Sequence, residues 1–244
     1  MTQGRLLRVG IDTGRYAGQM LGPIFDDNTY EYIPVKGDRY LPMNDPLYYR
    51  TYNMLQAQHD GTLIDYIVKN RKTEFNNLLA HLDPEFTTYT YGEPGIYNTK
   101  QISLRRLDPG DLLIFQIGLR DEMTRKNCIF GYFIIEEVVD LSKIKRGSTK
   151  FKDVEPLIEN NAHYIESEGT QDSLIIVGDQ DRSRMLEYAE PFTELMPDSI
   201  GRDTAKITKE YEEILGIGGF AQRNIRVLPP KRISSIISYL EELN

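Results

Sequence analysis

Cysteine, tryptophan and histidine are the scarce residues of this 244-residue chain, which has one, none and three of them. The single cysteine, Cys128, excludes an internal disulfide framework and a zinc site built on four thiolates. It fits a reducing compartment. No apolar run reaches the roughly 18 residues that a membrane span needs. The opening residues carry no apolar signal-peptide core, so a cytoplasmic location without membrane contact is expected. Walker A, H-E-x-x-H and G-x-S-x-G signatures are all missing. Basic charge is also short, with 29 Lys and Arg against 37 Asp and Glu for a net −8. That balance argues against a general nucleic-acid coat protein.

What is present describes a globular chain. Hydrophobic residues make up 40% and charged residues 27%, enough apolar material to bury a core. At roughly 150 residues per domain the length allows one large or two small domains, and the absence of a low-complexity linker favours one. Charge is uneven along the chain. Residues 98–152 hold 11 basic against 7 acidic residues, whereas 153–244 hold 9 against 18. The basic segment is either an unevenly solvated face or a local site for a polyanion such as a nucleotide or strand end.

The clearest element signals lie in the middle. Asp108-Pro109-Gly110-Asp111 reads as a turn capped by Asp111, followed by a buried strand over Leu112–Ile117. A second strand is expected over Cys128–Val139, with Gly131 marking a bulge or a close backbone approach. Ser173–Val177 is a third. Before these, alternation predicts a strand over Tyr30–Val35. Helical spacing predicts helices over Leu47–Gln58, Leu63–Asn70 and Thr73–Leu82, the last capped by Thr73 and stopped by Pro84. After them, helices are expected over Arg182–Met196 (broken at Pro191), Thr204–Leu215 (stopped by Gly216) and Arg232–Leu243. The expected architecture is a single α+β domain: a small mixed or antiparallel β-barrel over about residues 100–180, peripheral helices, and a helical region over about 182–244.

Several constellations carry possible chemistry. His81-Leu82-Asp83 is an H-x-D pair, which needs about two further ligands from folding before it holds a metal. It reads equally as a helix end and a turn cap, or as a general acid–base pair. Asp12-Thr13-Gly14 opens a glycine-dense loop through Gly18 and Gly22. Aspartic-protease chemistry needs a second carboxylate, and the chain has no second copy of the motif. The loop's N–H groups and Arg15 suit an anion instead. Gln116 and Arg120, leaving the end of the first central strand, have the donors and acceptors to read a base edge or hold a phosphate. The 16 tyrosines either stack on bases or pack half-buried.

Taken in order, these pieces form a pattern. Gly10-Ile11-Asp12 precedes Gly22-Pro23-Ile24-Phe25-Asp26-Asp27, Ile33-Pro34 and His81-Leu82-Asp83-Pro84. Gly110-Asp111-Leu112-Leu113-Ile114-Phe115, Ile129-Phe130-Gly131-Tyr132-Phe133 and Asn161-Ala162-His163 follow. The chain resembles the third family of nucleotide-modification-associated domains over most of residues 6–178, a family linked by genome context to modified DNA bases. The unit around Gly110–Val139 also resembles the PUA-like barrels, which include EVE, ASCH and YTH modules. The resemblance implies a partner that is a nucleotide or a nucleic acid with a modified base. It implies His81 and Asp83 as the acid–base pair, and Asp12, Arg15, Asp111, Gln116, Arg120 and His163 as ligand-binding residues of one cleft. No cofactor and no resident metal is expected. An enzyme acting on a small nucleotide or phosphorylated metabolite, and a non-catalytic interaction module, are the competing readings. The oligomeric state stays open.

Overall fold

The computed structural model describes residues 2–13, 20–94, 99–122, 124–169, 172–197, 200–221 and 224–243. The first half runs β1 (Gly4–Arg8), β2 (Gly22–Pro23), β3 (Val35–Tyr40), α1 (Lys72–Phe75), β4 (Leu78–His81), β5 (Thr90–Pro94), α2 (Thr99–Leu104), β6 (Leu112–Arg120) and β7 (Arg125–Asp140). The second runs α3 (Thr149–Ile158), α4 (Ala162–Glu166), β8 (Ser173–Gly178), β9 (Arg184–Pro191), β10 (Thr193–Pro197), β11 (Asp203–Ile207), α5 (Lys209–Leu215), β12 (Arg226–Leu228) and α6 (Ile233–Glu242).

The expected central hairpin forms. The Asp108–Asp111 turn places Gly110 at φ +87°, and the Asp111 carboxylate accepts from Asp108 N at 2.9 Å and from Gln3 N at 2.7 Å. β6 and β7 pair antiparallel from Leu112↔Ile134 to Arg120↔Arg125. β6 is apolar on both faces because both faces are covered. Leu113, Phe115, Ile117 and Leu119 join Phe130 and Phe133 of β7 and Leu174 and Ile176 of β8 in one core. The alternate residues Leu112 and Ile114 join Phe192, Tyr211 and, from α6, Ile233, Ile236 and Leu240 in a second. Each such side chain taken from water stabilises by about 1.5–3 kcal/mol. A third core, with Ile33, Tyr52, Phe75 and Leu78, holds the β3–β4 unit.

The sheet has eight strands in the order β12-β1-β6-β7-β8-β5, with β2 added on β6 and β9 on β7. β1 and β6 are parallel and the β6–β7–β8–β5 run is antiparallel. The α+β class holds, but no closed barrel is found among the described residues. The long strand β7 gives the reason. Its first half takes β9 on the edge away from β6, and its last residues take β8 instead, so the sheet branches there.

Elsewhere several expected elements are different. Tyr30–Ile33 is buried but forms no ladder; the strand starts at Val35, after Pro34, which has no N–H to donate. Leu47–Gln58 and Leu63–Asn70 hold only 3-10 turns, Tyr48–Arg50 in the first and Leu63–Tyr66 and the start of Lys69–Arg71 in the second. Their backbones bond across the third core, as in Tyr52 N to Leu78 O at 3.1 Å. The Thr73–Leu82 helix is one turn, α1, its N-cap Arg71 and not Thr73. The chain reverses at Asn77, φ +58°, and continues as β4, so His81 ends a strand. Arg182–Met196 is β9 and β10. The helix-like spacing of buried Leu186 and Ala189 reflects an irregularity, with one residue of β7 opposite a four-residue excursion of β9 between Met185 and Glu190. Residues 203–207 are strand β11, and only Lys209–Leu215 is helical, capped by the Thr208 hydroxyl and ended at Gly216. The last helix, α6, is where the periodicity places it.

Candidate functional site

Residues from six separate parts of the chain, Val35 of β3 among them, meet at the end of β4. A cavity of about 170 Å³ there is lined by Arg8, Val9, Gly10 and Thr13 from the turn after β1, by His81 and Asp83, by Tyr91 and Glu93 of β5, by Lys100 of α2 and by His163 of α4. The local sequence explains how each arrives. Val35↔His81 pairing sets the end of β4. Asp83 is tethered to β5, its Oδ1 accepting from Gly92 N at 2.7 Å. Asn161 caps α4, accepting from His163 N at 3.1 Å, and donates its Nδ2 to Thr90 Oγ1 at 3.2 Å. The helix start is thus fastened to β5, and His163 lies directly over it. A Cβ at position 92 would collide with the His163 ring and stand 2.7 Å from Asn161 Oδ1, so only glycine permits this approach.

At the centre, His81 Nε2 is 3.2 Å from His163 Nε2, and His163 Nε2 is 3.4 Å from Asp83 Oδ2. One ring nitrogen from each histidine and one Asp83 oxygen all lie within 4.8 Å of one another, a grouping able to hold a cation. Glu166, one turn along α4 from His163, stands on the same helix face. Its Oε2 is 3.0 Å from His81 Nδ1. Burial by itself pushes the His81 pKa down, but the Glu166 hydrogen bond and the charges of Asp83, Glu166 and Asp38 outweigh it and raise it. The Tyr91 phenol is held well above its ordinary pKa by burial and by Glu93 beside it. The two cations on the rim are already committed: Lys100 Nζ is 3.3 Å from Glu93 Oε2, and Arg8 pairs with Asp12.

The other expected site residues have separate places. Asp12 is fully buried between Arg8 and Arg125, with Arg8 Nε and Arg125 each donating to its Oδ2 at 3.2 Å. Its neighbour Thr13 reaches the cavity, so the start of the glycine-rich loop does border the group. Arg15 lies outside the described residues. Asp111 is at the opposite end of β6, closing its turn, and is not brought to the cavity. Arg120 is exposed at the end of β6, in register with Arg125 and Pro23. Within the basic segment, Lys100, Arg105, Arg125, Lys126 and Lys143 each stand within ion-pair distance of a carboxylate.

Gln116 is fully buried, and neither its Oε1 nor its Nε2 has a hydrogen-bond partner. A buried amide left unpaired costs about 1–3 kcal/mol. Gln116→Met, of similar volume, is therefore expected to raise unfolding free energy by about 1–2 kcal/mol in a urea titration. An unchanged midpoint would mean that an ordered water already satisfies the amide.

A second cavity, of about 270 Å³, lies on the other side of the same segment. Leu82 and Pro84 line it, whereas His81 and Asp83 line the first. Tyr32, Phe86, Met185 and Glu31 are among its other lining residues. Burial pushes the Glu31 carboxyl up to about 7, although His59 N and Gln58 N donate to its Oε2 at 3.3 and 2.8 Å. The folded chain thus holds this proton more tightly than the unfolded one. Its stabilising contribution is complete below the ordinary carboxyl range and is lost as pH rises through about 7. Glu31→Gln keeps an acceptor for both N–H groups. It is expected to match the parent at pH 4 and to exceed it at pH 8.5 by on the order of 1–2 kcal/mol, read from urea midpoints. An equal gain at both values would dissociate the effect from the proton.

The sequence pattern includes Asn161 only as the residue two before His163, and it does not single out Glu166, Gly92 or Lys100. The signal for Glu166 is His163-x-x-Glu166, one helical turn, which becomes meaningful only when α4 is known to be a helix. A family model described as nucleotide modification associated domain 3 matches residues 6–208. No curated protein and no solved structure matches the chain.

Proposed function

The chain belongs to the nucleotide modification associated domain 3 family, and from that premise we propose that the His81–Asp83–His163 cavity holds a nucleotide, free or within a nucleic acid, in connection with modification of its base. The observation that carries the reading is the convergence itself. Buried ionisable groups are costly to assemble, and a cluster of them lining a cavity is the usual mark of a candidate functional site. His81, with its Nδ1 beside Glu166, and Asp83 are placed for proton transfer to a bound group. The backbone of the turn from Val9 to Thr13, and Arg15 beyond it, are assigned to the anionic part of the ligand. A volume of about 170 Å³ suits a base or a phosphate group rather than a duplex. Reading of modified bases by a PUA-like or EVE-like unit, with the exposed Arg120 taking part and Gln116 and Asp111 kept to the interior and the turn, is the finer form of this proposal, and its support is the resemblance of the Gly110–Val139 segment. A cytoplasmic location belongs to the same reading.

A second reading, an enzyme on a small nucleotide or phosphorylated metabolite, is favoured by the net charge of −8, which repels long polyanions. Thermal shift with nucleoside monophosphates and with single-stranded DNA, natural and base-modified, separates the two. A ligand at 100 times its Kd adds about 2.7 kcal/mol of stability. Polymer binding with a steep salt dependence supports the first reading. Monomer binding alone supports the second. A shift that persists in His81→Gln places the ligand elsewhere.

A further inference from the structure

We infer that His81 Nε2, His163 Nε2 and Asp83 Oδ2 are the three protein ligands of a divalent first-row transition-metal ion, bound with open positions toward the cavity. This rests on the reading of that cavity as the functional site, and in it His81 and Asp83 serve as ligands of the cation in place of the acid–base role.

The first argument is metric. Ligand atoms about 2.0–2.2 Å from one ion and 90–110° apart stand roughly 3.0–3.5 Å from one another. Two edges of the triangle are 3.2 Å between the ring nitrogens and 3.4 Å from His163 Nε2 to Asp83 Oδ2, and His81, Asp83 and His163 each bring one ligand atom within 4.8 Å of the others.

The second argument is chemical. A ligating histidine usually gives its other ring N–H to a carboxylate, which fixes the tautomer. Glu166 Oε2 stands 3.0 Å from His81 Nδ1, which leaves the His81 Nε2 lone pair directed at the other two ligands. Gly92 N holds Asp83 Oδ1 at 2.7 Å, which turns Oδ2 inward. The carboxylates of Asp83 and Glu166 supply negative charge around the point where the ion would sit, while Arg8 on the far wall is neutralised by Asp12. Imidazole and carboxylate together suit a d-block cation, and three protein ligands leave room for water and a substrate atom. The H-x-D pair had too few ligands in sequence; the fold adds His163, 82 residues away.

The test is metal uptake by the full chain after EDTA treatment and dialysis, titrated with Co²⁺ and with Zn²⁺. The expected result is about one equivalent bound, a visible Co²⁺ absorption band, and a raised thermal midpoint. Asp83→Asn, which keeps an acceptor for Gly92 N, and His163→Ala are each expected to weaken binding at least tenfold. Glu166→Gln is expected to weaken it about 10- to 100-fold. His59→Gln, at a histidine stacked on Phe25 outside the site, is expected to leave it unchanged. Circular dichroism identifies any variant that fails to fold, and the folded ones decide. No uptake by the parent protein, or uptake that Asp83→Asn leaves intact, overturns the inference. Nucleotide binding by the metal-free protein without metal uptake overturns the metal site and leaves the nucleotide reading standing. Metal uptake without nucleotide binding keeps the site and removes that reading.

Discussion

Asp12→Ala is expected to lower the unfolding free energy by about 3–5 kcal/mol. Asp12 is fully buried, and Arg8, itself almost fully buried, donates to it from both Nε and a terminal nitrogen. Arg125 reaches the same oxygen from the end of β7. Removing the carboxylate leaves the buried Arg8 guanidinium without the ion pair that it makes with Asp12. Such an uncompensated ion is costly because its desolvation is no longer offset by attraction. The site is affected with the fold, since Arg8 lines the His81 cavity. A urea titration measures the effect. A loss below about 1 kcal/mol would mean that the pair is weakly coupled, leaving Asp12 available to a ligand, the role that the family resemblance suggests for it.

Gly131→Val is expected to destabilise by about 3 kcal/mol, at the upper end of the overpacking range. Gly131 lies in β7 opposite Phe115, where the register slips between Phe115 and Gln116. A Cβ there would stand 2.5 Å from Phe86 Cζ and 3.0 Å from the Arg184 carbonyl oxygen. The Phe86 ring cannot retreat easily, because it packs edge-on against Phe115, Phe130 and Phe133 with centroids 6.0, 5.8 and 5.4 Å away. The Arg184 carbonyl belongs to β9, which is paired with β7 at this point. Phe86 also lines the larger cavity beside Glu31, so its displacement deforms that cavity too. Parent-like stability of the variant would show that β9 and Phe86 pack less closely there than described.

The central hairpin was legible because its signals are local and agree with one another. A Pro-Gly turn, an aspartate able to cap it, and two apolar runs of strand length specify the same structure at every level. The last helix was legible for the same reason, with Ile233, Ile236 and Leu240 on one stripe. The segment Arg182–Met196 misled because a bulge in β9 spaces its buried residues as a helix would. Residues 47–82 misled because their short apolar runs suit helix or strand equally. The bonds that decide between the two, such as Ile64 N to Tyr52 O at 2.9 Å and Leu41 N to Asn77 O at 2.9 Å, join parts of the chain that propensity does not connect.

By itself the sequence determined the α+β class, the hairpin that carries the core, the capping role of Asp111, and that His81 and Asp83 lie two residues apart. Each is a property of a short window, where turn chemistry and side-chain period act directly on the backbone. Only the tertiary structure decided which groups meet at His81. His163 reaches it because Asn161 fastens a five-residue helix to β5 and Gly92 leaves room for the ring. Asp111, only five and nine residues from Gln116 and Arg120 along the chain, is carried away from them because an extended chain advances roughly 3.3 Å per residue. Separation along an extended strand becomes distance, whereas separation across folded elements does not, and composition encodes neither.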